Sequence, residues 1–120
     1  MKTVLIVEDH ADLREVVAEE IRYHGYEVAE AGSAEEALQL LDEMPNKPSL
    51  ILLDGMLPGM SGGEFLERLD QGKLLDSLPV VMFSAAPSAH GSRGARLVLR
   101  KPIDPRYLIQ VVRNFCGAPF

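Results

Sequence analysis

Ser49-Leu50-Ile51-Leu52-Leu53-Asp54-Gly55-Met56-Leu57-Pro58-Gly59-Met60-Ser61-Gly62 is an apolar run that ends abruptly in a carboxylate. Four consecutive aliphatic residues without alternation read as a strand buried on both faces, the pattern of a parallel sheet covered by helices. Residues at the carboxyl ends of such strands line the ligand crevice. Asp54 therefore stands where an open parallel sheet carries its chemistry, and Gly55, Pro58, Gly59 and Gly62 make the following loop tight and non-helical. Asp before Gly also serves as an ordinary turn residue, so Asp54 by itself decides nothing.

Working outward, the same pattern recurs. Thr3-Val4-Leu5-Ile6-Val7 is a second short aliphatic run, and it stops at Glu8-Asp9. From Asp12 onward Leu13, Val16, Val17 and Ile21 fall at helical spacing, with Gly25 just past the end as a C-terminal cap. Glu27 to Ala31 alternates as a strand exposed on one face, and Ser33-Ala34-Glu35-Glu36 has the capping-box form ahead of a helix whose buried stripe is Ala37, Leu38 and Leu41. Beyond the Asp54 loop, Glu64 to Leu69 reads as a helix burying Phe65, Leu66 and Leu69. Pro79-Val80-Val81-Met82-Phe83-Ser84 is another buried strand, ending in a hydroxyl. Leu97-Val98-Leu99 is the last strand and leads into Arg100-Lys101-Pro102. Asp104-Pro105 then opens a helix with Leu108, Val111, Val112 and Phe115 on one face.

Strand and helix alternate throughout, which argues an α/β fold with a mostly parallel sheet and right-handed crossovers. Four strands then deliver Glu8 and Asp9, Asp54, Ser84 and Lys101 to one edge. The chain has one domain's length, 120 residues and 47% hydrophobic, enough to bury a core without staples. Cys116 is alone and reads as packing. The opening apolar run is too short for a secretory signal and no stretch reaches membrane-spanning length, so the expectation is a soluble cytoplasmic protein with no membrane role. Net charge is −6, divided as −11 over residues 1–90 and +5 over residues 91–120. No aromatic residues interleave the C-terminal arginines, which favours a protein partner over direct nucleic-acid binding.

Three acids at one site repel each other unless a cation neutralises them. Oxygen donors suit Mg²⁺, and the three histidines lack the spacing of a zinc site. A carboxylate can also attack phosphorus to form an aspartyl-phosphate, with Asp54 as nucleophile and Lys101 and Ser84 contacting the rest of the group.

At this point the sequence closely resembles the receiver domain of two-component response regulators over nearly all of residues 1–120. The resemblance rests on Glu8-Asp9, Asp54, Pro58, Gly62, Ser84-Ala85, Gly94-Ala95 and Lys101-Pro102, all in the family's order. It implies a doubly wound, flavodoxin-like five-stranded parallel sheet of order 2-1-3-4-5, an arrangement for which a family member is the standing illustration. It further implies Asp54 as phosphoacceptor and Glu8, Asp9, Asp54 and the Met56 carbonyl as Mg²⁺ ligands. Ser84 would bond a phosphoryl oxygen, Lys101 would form the reporting ion pair, and the Lys101–Pro102 bond would be cis. The implied function is a phosphoacceptor module rather than an enzyme, catalysing only its own phosphorylation and dephosphorylation. It would take its phosphoryl group from a histidine kinase or phosphotransfer protein and change its affinity for a downstream protein. A receiver-like interaction module that signals without phosphorylation is the alternative.

Two departures accompany the resemblance. Val98 stands where the family has Tyr or Phe, and the stretch from Ala85 to Arg96 is several residues short. The fourth helix of the family is therefore expected to be a loop or a single turn. That segment is rich in Pro, Gly and Ser, and the expectation is a loop that orders on phosphorylation.

Overall fold

The computed structural model describes residues 2–74, 77–84 and 94–120. Five strands, β1 (Thr3–Val7), β2 (Glu27–Ala31), β3 (Leu50–Asp54), β4 (Val80–Ser84) and β5 (Leu97–Arg100), form one sheet. Among the described residues they are joined by helices α1 (Ala11–Tyr23), α2 (Ala34–Glu43), α3 (Gly62–Gln71) and α4 (Pro105–Cys116). All neighbouring strands are parallel, in the order β2-β1-β3-β4-β5. This is the doubly wound arrangement that the alternation of patterns and the family resemblance both imply.

β3 is central because it is apolar on both faces. It pairs with β1 from Val4↔Leu50 to Val7↔Leu53 and with β4 from Ile51↔Val80 to Asp54↔Phe83, and all five of its residues are buried. Successive side chains enter opposite layers, as the two-residue period of a strand requires. Leu50 and Leu52 join Val4, Ile6, Val81 and Phe83 beneath α1 and α4. Ile51 and Leu53 join Leu5, Val7, Val80 and Met82 beneath α2 and α3.

The helix starts follow local chemistry. Ser33 accepts a hydrogen bond from the Glu36 N–H, as expected of the cap, and the Glu36 carboxylate reaches back to accept from the Gly32 N–H, one residue ahead of the Ser33 N–H that a capping box would use. Asp104 caps α4 by accepting from the Arg106 N–H at 2.9 Å. α3 begins at Gly62, ahead of the expected Glu64, because Ser61 accepts from the Glu64 N–H and recruits the first turn. A Cβ on Gly62 would lie 3.2 Å from the Asp54 carbonyl oxygen and 3.3 Å from the Gly55 Cα. A bare backbone lets α3 start this close to the end of β3 without pushing those atoms back by a few tenths of an ångström.

His10 is exposed and is the N-cap of α1, its Nδ1 accepting from the Leu13 N–H at 3.2 Å. Two burial expectations need correction. On α1 the buried side is Val17, Ala18 and Ile21, whereas Leu13 is 36% and Val16 63% exposed, because the layer above them ends at an open groove. On α4 Phe115 is half-buried while Ile109 and Cys116 are buried, so the face is rotated slightly from the one periodicity gives.

The shortened connection expected over Ala85 to Arg96 falls on residues 85–93, outside the described residues, except for its last three positions. From there the Arg96 N–H donates to the Val80 carbonyl at 2.8 Å and the chain enters β5, which runs beside β4 from Val81↔Leu97 to Ser84↔Arg100. The Lys101–Pro102 peptide is cis, as the resemblance implies.

Because β3 is buried on both faces, truncating it leaves a cavity that neighbours in two layers cannot close. Leu52→Ala should cost about 2–5 kcal/mol, read as a lowered urea midpoint at unchanged slope. A loss below about 1 kcal/mol would contradict the central placement of β3.

Candidate functional site

The parallel sheet brings the carboxyl ends of β1, β3, β4 and β5 to one edge, and each ends in a group with chemistry. Asp54 is the last residue of β3 and is 3% exposed. One of its carboxylate oxygens, Oδ1, accepts from the Met56 N–H at 3.0 Å, which fixes the rotation of the carboxylate. Glu8, one residue beyond β1, is 1% exposed. Its Oε1 meets the Lys101 ammonium at 2.9 Å, and its Oε2 accepts from the His10 N–H at 3.3 Å. Asp9 is exposed beside it. Carboxylate oxygens of Glu8, Asp9 and Asp54 lie within 4.8 Å of one another.

Lys101 follows β5 and serves both buried acids. Its Nζ is 2.9 Å from Glu8 and 3.4 Å from Asp54 Oδ2, and it stands 5.1 Å from the centre of the Phe83 ring. Its backbone N–H donates to the Ser84 carbonyl at 2.9 Å, which ties the lysine to the end of β4. Ser84 is itself buried at the end of that strand. The structure thus brings Glu8, Asp9, Asp54, Ser84 and Lys101 to one edge. Met56 opens the loop beyond Asp54, with its side chain 67% exposed.

One ammonium faces three carboxyl groups, and the electrostatics register the shortage. The Glu8 carboxyl is pushed up from 4.5 to about 7, first by burial and next by closeness to Asp54, against the pull of Lys101. Lys101 is raised despite its own burial, because Glu8 and Asp54 outweigh it. An all-oxygen donor set short of positive charge fits a hard divalent cation such as Mg²⁺. An octahedral ion of that kind holds its ligand oxygens about 3–4 Å apart, a span that the three carboxylates already approach.

Sequence reasoning missed two neighbours. Phe83, buried under Lys101, was marked only as a strand residue, since nothing in a run of apolar residues says which one meets a later lysine. Arg14 on α1 donates from Nη1 to the Glu8 carbonyl at 2.8 Å. Its position six residues after Glu8 is the signal, because one helical turn folds it back over the loop. Val98, where an aromatic was expected from the resemblance, is half-buried and packs on the layer of α2 and α3. On the opposite side, an apolar groove of about 430 Å³ between α1 and α4 is lined by Leu13, Val16, Phe83, Lys101 and Pro102, among others.

Comparison with known proteins points the same way. The sequence pattern described as the response regulator receiver domain matches residues 4–113. The phosphate regulon transcriptional regulatory protein PhoB of Pseudomonas aeruginosa is 38% identical over 113 residues, covering 90% of this chain and 48% of that protein. PhoB of Escherichia coli K12 is 33% identical over 117 residues, covering 93% and 50%. The chain therefore spans about half the length of these relatives. Among solved structures, a CheY-like receiver domain protein from Methanospirillum hungatei superposes with TM-score 0.85 at 28% identity, covering 95% of this chain and 92% of that one. The response regulator TrrA from Thermotoga maritima, in complex with Mg(2+)-BeF, gives 0.84 at 28% identity, covering 96% and 99%.

The Glu8 shift sets a pH dependence. Between about pH 4.5, where the unfolded carboxyl titrates, and about pH 7, where the folded one does, the folded state holds the extra proton, so stability falls as pH rises. In chelator, the stability of Glu8→Gln relative to the parent should therefore increase from about pH 5 to pH 8, by at most about 1.4 kcal/mol per pH unit. A difference in urea midpoints that does not change with pH would remove Glu8 as the site of that proton.

Proposed function

This chain belongs to the response regulator receiver domain family, and we propose that it works as the phosphoacceptor module of a two-component phosphorelay. Asp54 takes a phosphoryl group from the phosphohistidine of a partner kinase or phosphotransfer protein, and the modified domain changes its affinity for a downstream protein. The observation that carries this reading is the buried Asp54 carboxylate, held by the Met56 N–H within reach of two further acids and one lysine.

In the transfer, an Asp54 oxygen forms a bond to phosphorus as the phosphorus–nitrogen bond to the donor imidazole breaks, and the imidazole departs with its electron pair and takes up a proton. Glu8, Asp9, Asp54 and the Met56 carbonyl are the groups that would hold Mg²⁺. When bound, the ion supplies positive charge against the phosphoryl oxygens. The chain's own part is to orient Asp54 through Met56, to donate from the Ser84 hydroxyl to a phosphoryl oxygen, and to offer Lys101 as counter-charge. Lys101 already divides its contacts between Glu8 and Asp54, so a new charge of about −1.5 to −2 redistributes them. The chemistry stops at the chain's own modification, because no general acid stands two residues beyond Asp54, where Met56 is found.

Asp54→Asn should abolish labelling by acetyl phosphate and Mg²⁺ as read by mass spectrometry, while Lys101→Ala keeps labelling and loses the change in partner affinity. An equally labelled, acid-labile Asp54→Asn protein would refute the acceptor, and uptake of no label by the parent would favour the phosphorylation-independent reading.

The phosphoryl form should also be long-lived. Met56 cannot hydrogen-bond a water in line for attack, and the same expectation for Ala86 concerns a residue outside the described ones. Met56→Asn should shorten the lifetime of the purified phosphorylated protein several-fold. Loss of the label within seconds from the parent, with no phosphatase present, would contradict this.

A further inference from the structure

The turn between β1 and α1 carries two of the three acids, and it leaves the sheet at Glu8. The Glu8 N–H makes the last sheet-like bond, to the Ala31 carbonyl at 3.0 Å. The Glu8 carbonyl, which belongs to the peptide joining Glu8 to Asp9, instead accepts from Arg14 Nη1 at 2.8 Å. Arg14 is braced from behind. Its Nε is 3.4 Å from Glu30 Oε1, and Glu30 is also paired with Arg22 at 3.1 Å. A Cβ on Gly32 would come within 3.3 Å of Nη1, so the glycine leaves the guanidinium its room.

One detail separates this arrangement from a simple ion pair between α1 and β2. The Arg14 Nε is buried and makes no hydrogen bond, even though the Glu30 carboxylate is beside it. A guanidinium free to optimise that pair would turn its fork onto the carboxylate, since a buried donor left unsatisfied is costly. Its orientation is set by the Glu8 carbonyl.

We propose that Arg14 is a positioning residue for the cation site: anchored by Glu30, it fixes the Glu8–Asp9 peptide and so aims the exposed Asp9 carboxylate toward Glu8 and Asp54. The inference rests on the Mg²⁺ reading given above. It makes a prediction opposite in sign to simple electrostatics. Removing a positive charge near a cation site should by Coulomb attraction alone tighten Mg²⁺ binding. Loss of a group that orients a ligand weakens binding, typically by about 10-fold or more.

The test is calorimetric titration of the full chain with Mg²⁺ at a fixed pH near 8, with urea midpoints in chelator measured alongside. Arg14→Ala should bind Mg²⁺ about 10-fold more weakly, and Arg14→Lys, which keeps a charged donor, should recover part of the loss. Should Arg14→Ala fail to fold, Arg14→Met keeps the stem without the donor and is expected to weaken binding equally. Unchanged or tighter binding in the folded variants overturns the inference, whatever happens to the urea midpoint, while leaving the Mg²⁺ reading intact. A parent that binds no Mg²⁺ overturns both.

Discussion

A carboxylate taken out of water must find positive charge or a proton, and that constraint governs this molecule. Glu8 and Asp54 are almost wholly buried, within reach of each other, and the described residues supply one ammonium between them. The consequence is visible in Glu8, which is pushed toward neutrality. A site that held its acids apart, or lined them with more cations, would be more comfortable and would attract a divalent ion less. The shortage of positive charge is what suits the edge of this sheet to a hard cation.

The packing makes that shortage tolerable. β3 carries Asp54 to the edge from a strand whose neighbours on both sides and in both layers are apolar, so the carboxylate cannot retreat. Met56 holds one of its oxygens and Gly62 permits α3 to start against its backbone. Lys101 reaches the acids because β5 lies beside β4 and its backbone N–H is bonded to Ser84. Each site residue is thus placed by an element whose own stability comes from apolar burial, and the cost of gathering like charges falls on the whole core rather than on the loop.

Much of this was legible because the signals are local. Unbroken aliphatic runs marked the buried strands, Ser33 with Glu36 and Asp104 with Pro105 marked helix starts, and the alternation of elements made the sheet parallel, which alone places Glu8, Asp9, Asp54, Ser84 and Lys101 on one edge. What escaped was set by tertiary neighbours. Leu13 and Val16 have the spacing of buried residues and are exposed, because burial depends on what lies above the helix as well as on its period. Nothing near Glu30 in the sequence marks it as paired, yet two arginines from α1 meet it. His10 capped a helix where Ser, Asp or Asn would have been recognised, since an imidazole nitrogen is an acceptor only in the right tautomer. Only the His10 cap is local in sequence, and it escaped because of its residue type; the other two depend on neighbours too far along the chain for a pattern to register.

The departure at position 98 narrows how a change at Asp54 can be felt. An aromatic ring can swing between a buried and an exposed position, whereas valine has a short β-branched side chain with one strongly preferred rotamer in many settings. Val98 is half-buried beside Met82 in the sheet and has no ring to move. The aromatic near the site is Phe83, but it is buried in the layer of α1 and α4, where close packing resists rotation. Of the charged groups at the site, Glu8 is enclosed and Asp54 is fixed by Met56, while Lys101 has a flexible stem and partial access to solvent. That stem also lines the apolar groove beside Leu13, Val16 and Pro102. Among the described residues, the cation with freedom to answer any new charge at Asp54 is therefore one that already lines the surface between α1 and α4.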